Sequence, residues 1–414
     1  MDENKHFVTG LDVGTENVRA VIASVNKSGE IAIVGFNEGK SAGMRKGVPA
    51  NLAGPAGAID KMLGDAERMG GYDVRSAYVS INGSTVISTH TEGMIAVGTV
   101  EHEINDEDLD RVEDVAVSGR IPANRDALDV VPLEYALDGQ GGIKNPLGMS
   151  GARLEMRANV ISALTPNCEN LKKATMAADV EALRLVPSPV AAAKAVLNEK
   201  QKENGVAVVD FGATTTGIAV YEEGDLQYVG VIPVGSNNIT NDLAIVLAID
   251  PDLAEEIKTR FITGDFDSEK SIAIKVGKNG ERTFDRKEVE AVVKARLDEI
   301  FAEIRQKLKS AHYDQRLPEG IILTGGGAKM RDIDIFAKQA LEASVKIGIP
   351  VALGGVAESV ARPEFAVAVG LAIIAAESGD LPPVSGKKSK KQSKKPSAPG
   401  ANPFTFIKKL FSKF

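Results

Sequence analysis

The sequence has no tryptophan, a single cysteine and only 5% aromatic residues. Cys168 alone excludes an intramolecular disulfide, and His6, His90, His102 and His312 give no zinc cluster the ligand spacing it needs. No segment reaches about 18 uninterrupted apolar residues, and the start, Met1 to Lys5, opens acidic rather than with a basic and then apolar leader. The expectation is a chain in a reducing, cytoplasmic compartment, neither exported nor membrane-spanning. Acidic residues are also missing from one stretch. Beyond Asp380 there are none, while nine lysines lie there; with a net charge of -8 overall, the preceding chain carries -17. A body so charged repels polyanions, so nucleic acid is not an expected partner, whereas the tail seeks them.

What is present is 414 residues with 43% hydrophobic and 26% charged composition, an ordinary globular balance spread over about three domains or subdomains. Apolar runs at 7–13, 18–25 and 31–36 read as three strands, followed by a helix at about 52–69 and a strand at 74–81. The stretch 83–151 is richer in glycine and short elements, including a helix at 106–117 that Asn105 would cap, and it reads as an insertion. Strand and helix then alternate to about 197. The second half begins with Val206-Ala207-Val208-Val209-Asp210, and Asp210 lies in the same local chemistry as Asp12: apolar strand, Asp-x-Gly, Thr, second strand. That repetition is an internal duplication. A long helix at 286–309 has Val289, Val292, Val293, Leu297, Ile300, Ile304 and Leu308 at helical spacing, so one face is core. Residues 382–403 are Lys, Ser, Pro and Gly with almost nothing to bury, the composition of a linker.

Two Asp-x-Gly turns and the Gly325-Gly326-Gly327 loop, each ending a hydrophobic strand, suit a nucleotide held between duplicated halves. Gly14 and Gly212 would let backbone approach phosphate oxygens, Thr15, Thr214 and Thr215 would donate to them, and Asp12 and Asp210 would hold Mg²⁺, largely through water. A lone Asp-x-Gly is more often a plain hairpin turn. Two copies in equivalent contexts, with the triple glycine, favour the phosphate reading. Cys168 reads as a small packed residue rather than a nucleophile, since no histidine partner is evident.

These motifs resemble those of the actin, sugar kinase and heat-shock-70 ATPase superfamily. Asp12-Val13-Gly14-Thr15 is similar to its first phosphate loop, Asp210-Phe211-Gly212-Ala213-Thr214-Thr215 to its second, and Thr324-Gly325-Gly326-Gly327-Ala328 to its adenosine motif. Arg19 stands where actin places a phosphate-binding lysine, and Ala254-Glu255-Glu256-Ile257-Lys258 resembles the helix whose lysine approaches adenine and ribose; a solvated helix charge is the alternative for Lys258. Pro189 to Ala193 and Ala366 to Gly370 resemble the two connecting segments. Only residues 41–50 separate the third strand from the first helix, so the subdomain that actin and the chaperones carry there is missing. Extra mass at 83–151 resembles instead the FtsA family of bacterial cell-division proteins and its pilus relative PilM, with Glu134 to Gln140 and Ile143 to Gly151 much like FtsA.

The resemblance implies an α/β actin-like ATPase fold of two duplicated halves. Its subdomains would be 1A at 1–82 and 152–197, 1C at 83–151, 2A at 198–233 and 310–380, and 2B at 234–309, then a basic linker at 381–402 and a helix at 403–414. It implies ATP and Mg²⁺ as ligands, with Gly14, Thr15, Glu16, Arg19, Gly212, Ala213, Thr214, Thr215, Lys258, Gly325, Gly326 and Gly327 around the nucleotide and Asp12 and Asp210 at the metal. Ser188 stands where the chaperone branch has a water-positioning glutamate, so hydrolysis is expected to be weak at most. The implied role is to tether FtsZ polymers to the cytoplasmic face of the cell membrane at the division septum, to self-assemble into filaments and to recruit later division proteins. The acidic tail peptide of FtsZ is expected against 2B, at Arg286, Lys287, Lys294 and Arg296, although a solvated helix face accounts for each residue singly. A PilM-like pilus scaffold, or a sugar kinase or chaperone-type ATPase, is the alternative on the same fold.

The tail speaks without any family. On a helix, Phe404, Phe406, Ile407, Leu410, Phe411 and Phe414 fall on one side and Thr405, Lys408, Lys409, Ser412 and Lys413 on the other. Complete segregation points to a helix lying in an anionic membrane surface; a partner-binding or core-capping helix is the alternative.

Overall fold

The computed structural model describes residues 6–263, 271–276, 280–313 and 316–379, so the linker at 381–402 and the amphipathic segment at 403–414 lie outside the described residues. Two sheets repeat one plan. In the first, His6–Val13, Asn17–Val25 and Ile31–Lys40 form an antiparallel meander, and Ser76–Ile81 and Glu181–Pro187 add on the other side in parallel. In the second, Val206–Phe211, Thr216–Glu222 and Asp225–Ile232 form the meander, and Ile321–Thr324 and Val345–Ile347 add in parallel. Asp12 and Asp210 therefore occupy equivalent places, near or at the end of each first strand.

The central strands are buried along nearly their whole length, which requires cover on both faces. Ala366–Ser378, apolar all round, and Ser188–Val196 supply part of it and pack on one another. Gly370 permits that approach, since a Cβ there would lie 1.7 Å from the carbonyl oxygen of Ala191. At 13 residues Ala366–Ser378 is too short to cross a bilayer, and no helix among the described residues is long and apolar enough to do so.

The segment between Ile81 and the helix Thr165–Ala177 forms four strands, Ile87–Ala96, Arg125–Leu137, Gln140–Ile143 and Arg153–Leu164, with the helix Asp106–Val117 laid across them. Asn105 caps that helix, its side chain accepting from the backbone of Glu107 and Asp108. The strand Arg153–Leu164 is long because it pairs with both of its neighbours in this sheet. Pairing of Gly230 with Ile87 joins the insert to the second half, making one nine-stranded sheet. The seam is reinforced where Asn159 Nδ2 donates to Leu226 O at 2.8 Å and Lys144 Nζ meets Asp225 at 2.6 Å. Above the second sheet stand Asn237–Val246, Pro251–Thr263 and the long helix Arg286–Ser310, whose buried residues include six of the seven expected, with Phe301 added and Val292 only partly buried.

Candidate functional site

Both Asp-bearing hairpins and the glycine loop open into one cavity of about 290 Å³ between the halves. Every residue assigned to nucleotide or metal from the sequence lines it: Asp12, Gly14, Thr15, Glu16 and Arg19 from the first half, and Asp210, Gly212, Ala213, Thr214, Thr215, Lys258, Gly325, Gly326 and Gly327 from the second.

Each hairpin turn depends on its glycine. A Cβ at Gly14 would stand 2.6 Å from Asn17 O, and one at Gly212 2.8 Å from Thr215 O, to which the Gly212 N–H is itself paired at 3.0 Å across the loop. The carboxylate of Asp12 is fixed by Ser80, whose hydroxyl donates to Oδ1 at 2.8 Å and accepts from Val13 N at 2.9 Å. Burial raises the Asp12 carboxyl, against the Arg19 guanidinium 4.0 Å from Oδ2 and the Ser80 bond, both of which lower it. Asp210 is pushed up to about 7, by burial first and then by the charge of Asp12, with Arg19 opposing. Two buried carboxylates short of countercharge carry the chemistry that a hard cation would satisfy. Hard oxygen donors of this kind are the type that Mg²⁺ takes.

In the triple-glycine loop the three residues have different reasons. Gly325 has a φ of 86° and would bring a Cβ to 2.5 Å from Asp210 Oδ1, while a Cβ at Gly327 would strike the Phe211 ring at 2.4 Å. Gly326 meets nothing within 4 Å and faces the cavity. Lys258 is 5% exposed, so it is not a solvated helix charge; it pairs with Glu255 at 2.6 Å, and that carboxylate accepts from Thr240 Oγ1 at 2.5 Å. Ser188 also lines the cavity and is buried, its hydroxyl donating to Ile81 O at 3.4 Å.

The halves touch across the opening. Thr214 Oγ1 donates to Thr15 Oγ1 at 2.8 Å, and Asn237 Nδ2 donates to Glu16 Oε2 at 3.1 Å, while Lys40 holds the other oxygen of Glu16 at 2.6 Å. Sequence reasoning missed Asn237, Glu364, Lys329 and Asn82 among the lining residues. Glu364 is buried between Lys329 at 3.0 Å and Arg362 at 3.3 Å, and Arg362 reaches Glu38, which holds Arg19. A chain of alternating charge thus runs from Asp12 to the glycine loop. Glu255, three residues before Lys258, was legible as an i, i+3 pair.

Elsewhere, Arg286, Lys287, Lys294 and Arg296 sit on Arg286–Ser310, none of them lining the cavity. Lys287 and Lys294 are exposed, whereas Arg296 is engaged, gripping Asp242 at 2.5 and 2.9 Å and Glu299 at 2.7 Å. Cys168 is fully buried, and burial pushes its thiol up to about 11, which agrees with a packed residue.

Comparison with known proteins follows the same lines. A family model described as cell division protein FtsA matches residues 207–370, and one described as the SHS2 domain inserted in FtsA matches 83–162. Proteins named cell division protein FtsA from Pseudomonas aeruginosa, Borreliella burgdorferi and Escherichia coli K12 are 33%, 34% and 31% identical, covering 88–89% of this chain and 88%, 91% and 90% of their own. Among solved structures, the PilM–PilN type IV pilus biogenesis complex aligns with a TM-score of 0.64 at 18% identity over 89% of this chain and 98% of that one. MreB5 of Spiroplasma citri bound to ADP aligns at 0.52 and 15% identity over 88% and 94%. Those structural likenesses establish the actin-like ATPase fold. With a third of its residues shared over nine-tenths of its length, this chain belongs to the FtsA family of cell division proteins.

Proposed function

We propose that this chain is an actin-like, ATP-binding division protein that anchors FtsZ polymers to the cytoplasmic face of the membrane at the septum, assembles into filaments and recruits later division proteins. The observation that carries the nucleotide reading is the pair of equivalent hairpins, each bringing a buried carboxylate and a glycine turn to one cavity. In this reading Asp12 and Asp210 hold Mg²⁺, and the turns at Gly14–Thr15 and Gly212–Thr215 with Arg19 take the phosphates. Lys258, Gly325, Gly326 and Gly327 flank the nucleoside. The ion would neutralise phosphate charge; the residues themselves orient and desolvate the nucleotide. Ser188 supplies no general base, so the nucleotide acts chiefly as a ligand whose presence sets the state of the cleft, with at most weak hydrolysis. Calorimetry tests this: Asp12→Ala and Asp210→Ala should each weaken ATP binding strongly, and unchanged affinity in both refutes the site.

The FtsZ tail peptide is assigned to the helix Arg286–Ser310, where Arg286, Lys287, Lys294 and Arg296 offer charge complementarity to an acidic peptide. Residues 403–414 supply the membrane contact. Co-sedimentation with anionic vesicles, with and without FtsZ, examines both together. The pilus-scaffold reading has fold likeness at 18% identity behind it, against 33% identity to a division protein.

A further inference from the structure

On one side the second sheet ends in a short strand in which Val345 is buried while Lys346 and Ile347 are exposed. Val345–Ile347 is one of its two edge strands, and the chain continues from it in an alternating pattern: Ile347, Ile349 and Val351 are 36%, 53% and 45% exposed, while Gly348 and Pro350 between them are buried. Branched apolar side chains thus point outward every second residue, beside a sheet edge. Ile335, 54% exposed, lies on the helix Ile333–Leu341 that packs against the same strand. Such a strip needs cover.

The exit of the chain lies next to it. Val351 N donates to Ala195 O at 2.8 Å, and the neighbouring Lys194 pairs with Glu377 at 2.7 Å, in the last turn of Ala366–Ser378. We propose that the strip Ile347–Ile349–Val351 is the resting dock of this chain's own amphipathic segment 403–414, so that body and membrane compete for one apolar face. The inference rests on reading 403–414 as a membrane-binding helix. Phe404, Phe406, Ile407, Leu410, Phe411 and Phe414 form the only face it has to offer, and that face cannot serve both. The linker 381–402 is 22 residues, whose greatest reach of about 75 Å is ample for a return to a site beside its origin, and tethering sets a roughly millimolar effective concentration there. Charge agrees with the docking, since nine lysines of the tail return to a body carrying -17. A segment docked nine-tenths of the time loses about tenfold in apparent affinity for lipid. Filament growth or a high density of anionic lipid would shift the balance outward.

The test uses the full chain. Ile347→Ser, Ile349→Ser and Val351→Ser combined change only exposed side chains, and the variant should bind anionic phosphatidylglycerol vesicles about five- to tenfold more tightly than the parent, with ATP affinity unchanged. Equal vesicle affinity in parent and variant overturns the docking. Independently, Ile349→Cys with Leu410→Cys should form an intramolecular disulfide without lipid, and Cys168, buried, does not compete. A disulfide-linked dimer, which assigns the strip to a second copy, or free thiols after oxidation, also overturns it. If the parent itself ignores the vesicles, the membrane reading fails, and the disulfide pair still decides the docking.

Discussion

Asp12 and Asp210 are each the last residue but one of equivalent strands, yet the fold treats them differently. Asp12 has Ser80 and the nearer claim on Arg19, while Asp210 is left to burial and to its neighbour's charge, which push its carboxyl up to about 7 from an ordinary 3.8. The sign follows from linkage. Between about pH 4 and 7 the folded chain binds a proton at Asp210 that the unfolded chain has released, so this group's contribution to stability falls as pH rises through that window. The free protein should therefore melt higher at pH 6 than at pH 8 in this component, and Asp210→Asn should flatten the slope and raise the melting temperature at pH 8. Mg²⁺-ATP affinity should run the opposite way, weakening below pH 7 because the ion must displace that proton. Calorimetry at pH 6 and 8 in buffers of different ionisation enthalpy reads both the affinity and the proton released. Gly326 and Gly327 separate in the same manner. Gly326→Ala fills open cavity and should leave stability within about 0.5 kcal/mol while cutting ATP affinity at least tenfold. Gly327→Ala presses on the Phe211 ring and should cost about 1–3 kcal/mol in urea unfolding.

Among the elements, the two helices at the junction of the halves carry the tightest constraint. Gly370→Ala would drive a methyl into Ala191 O, so Ser188–Val196 and Ala366–Ser378 must part, and a loss of roughly 1–3 kcal/mol or more is expected from chemical denaturation. The long helix Arg286–Ser310 poses the question of the FtsZ peptide. Because Arg296 already grips Asp242 and Glu299, reversing it would disturb helix pairing as well as any peptide. Lys287→Glu with Lys294→Glu is the cleaner pair: peptide affinity should fall at least tenfold with melting unchanged, and an unaltered affinity removes the helix from the site. Elements of this kind were legible where one strong signal ruled. The Asp-x-Gly turns, the Asn105 cap and the apolar stripe of the long helix each belong to a contiguous stretch of sequence. The strand Asp225–Ile232 was not read, because Gly224, Asp225 and Gly230 interrupt its alternation and its register is set by partners on both sides, one of them in the insert. Glu364 was invisible for a related reason: its meaning comes from Lys329, Arg362 and, through them, Glu38 and Arg19, residues brought together only by the fold.

At the scale of the whole molecule the halves meet at the helix junction, along the seam of the insert at Gly230–Ile87 and through the Thr15–Thr214 and Glu16–Asn237 contacts across the cavity, and an occupant of the cleft would bear on the last of these. The tail acts at another level. In the membrane reading proposed above, a twelve-residue helix would span about 18 Å, short of the ~30 Å hydrocarbon core, so 403–414 would have to lie flat, and twelve residues are too few for a stable helix alone in water. Binding must provide the folding. Each fully buried apolar side chain contributes about 1.5–3 kcal/mol and each lysine near anionic lipid about 1 kcal/mol, reduced by salt, against the ordering of the segment. What remains for one chain is modest and reversible. A polymer joins many such tails, and each attachment after the first is intramolecular, so filaments or FtsZ polymers should bring this protein to vesicles at concentrations where the monomer stays in solution. Deleting 403–414 should abolish sedimentation with vesicles in both conditions while ATP affinity persists, and raising salt from 0.1 to 0.5 M should release the monomer well before the FtsZ-bound assembly. Continued vesicle binding by the truncated chain would place the membrane contact elsewhere, on a body whose net charge of -17 opposes anionic lipid.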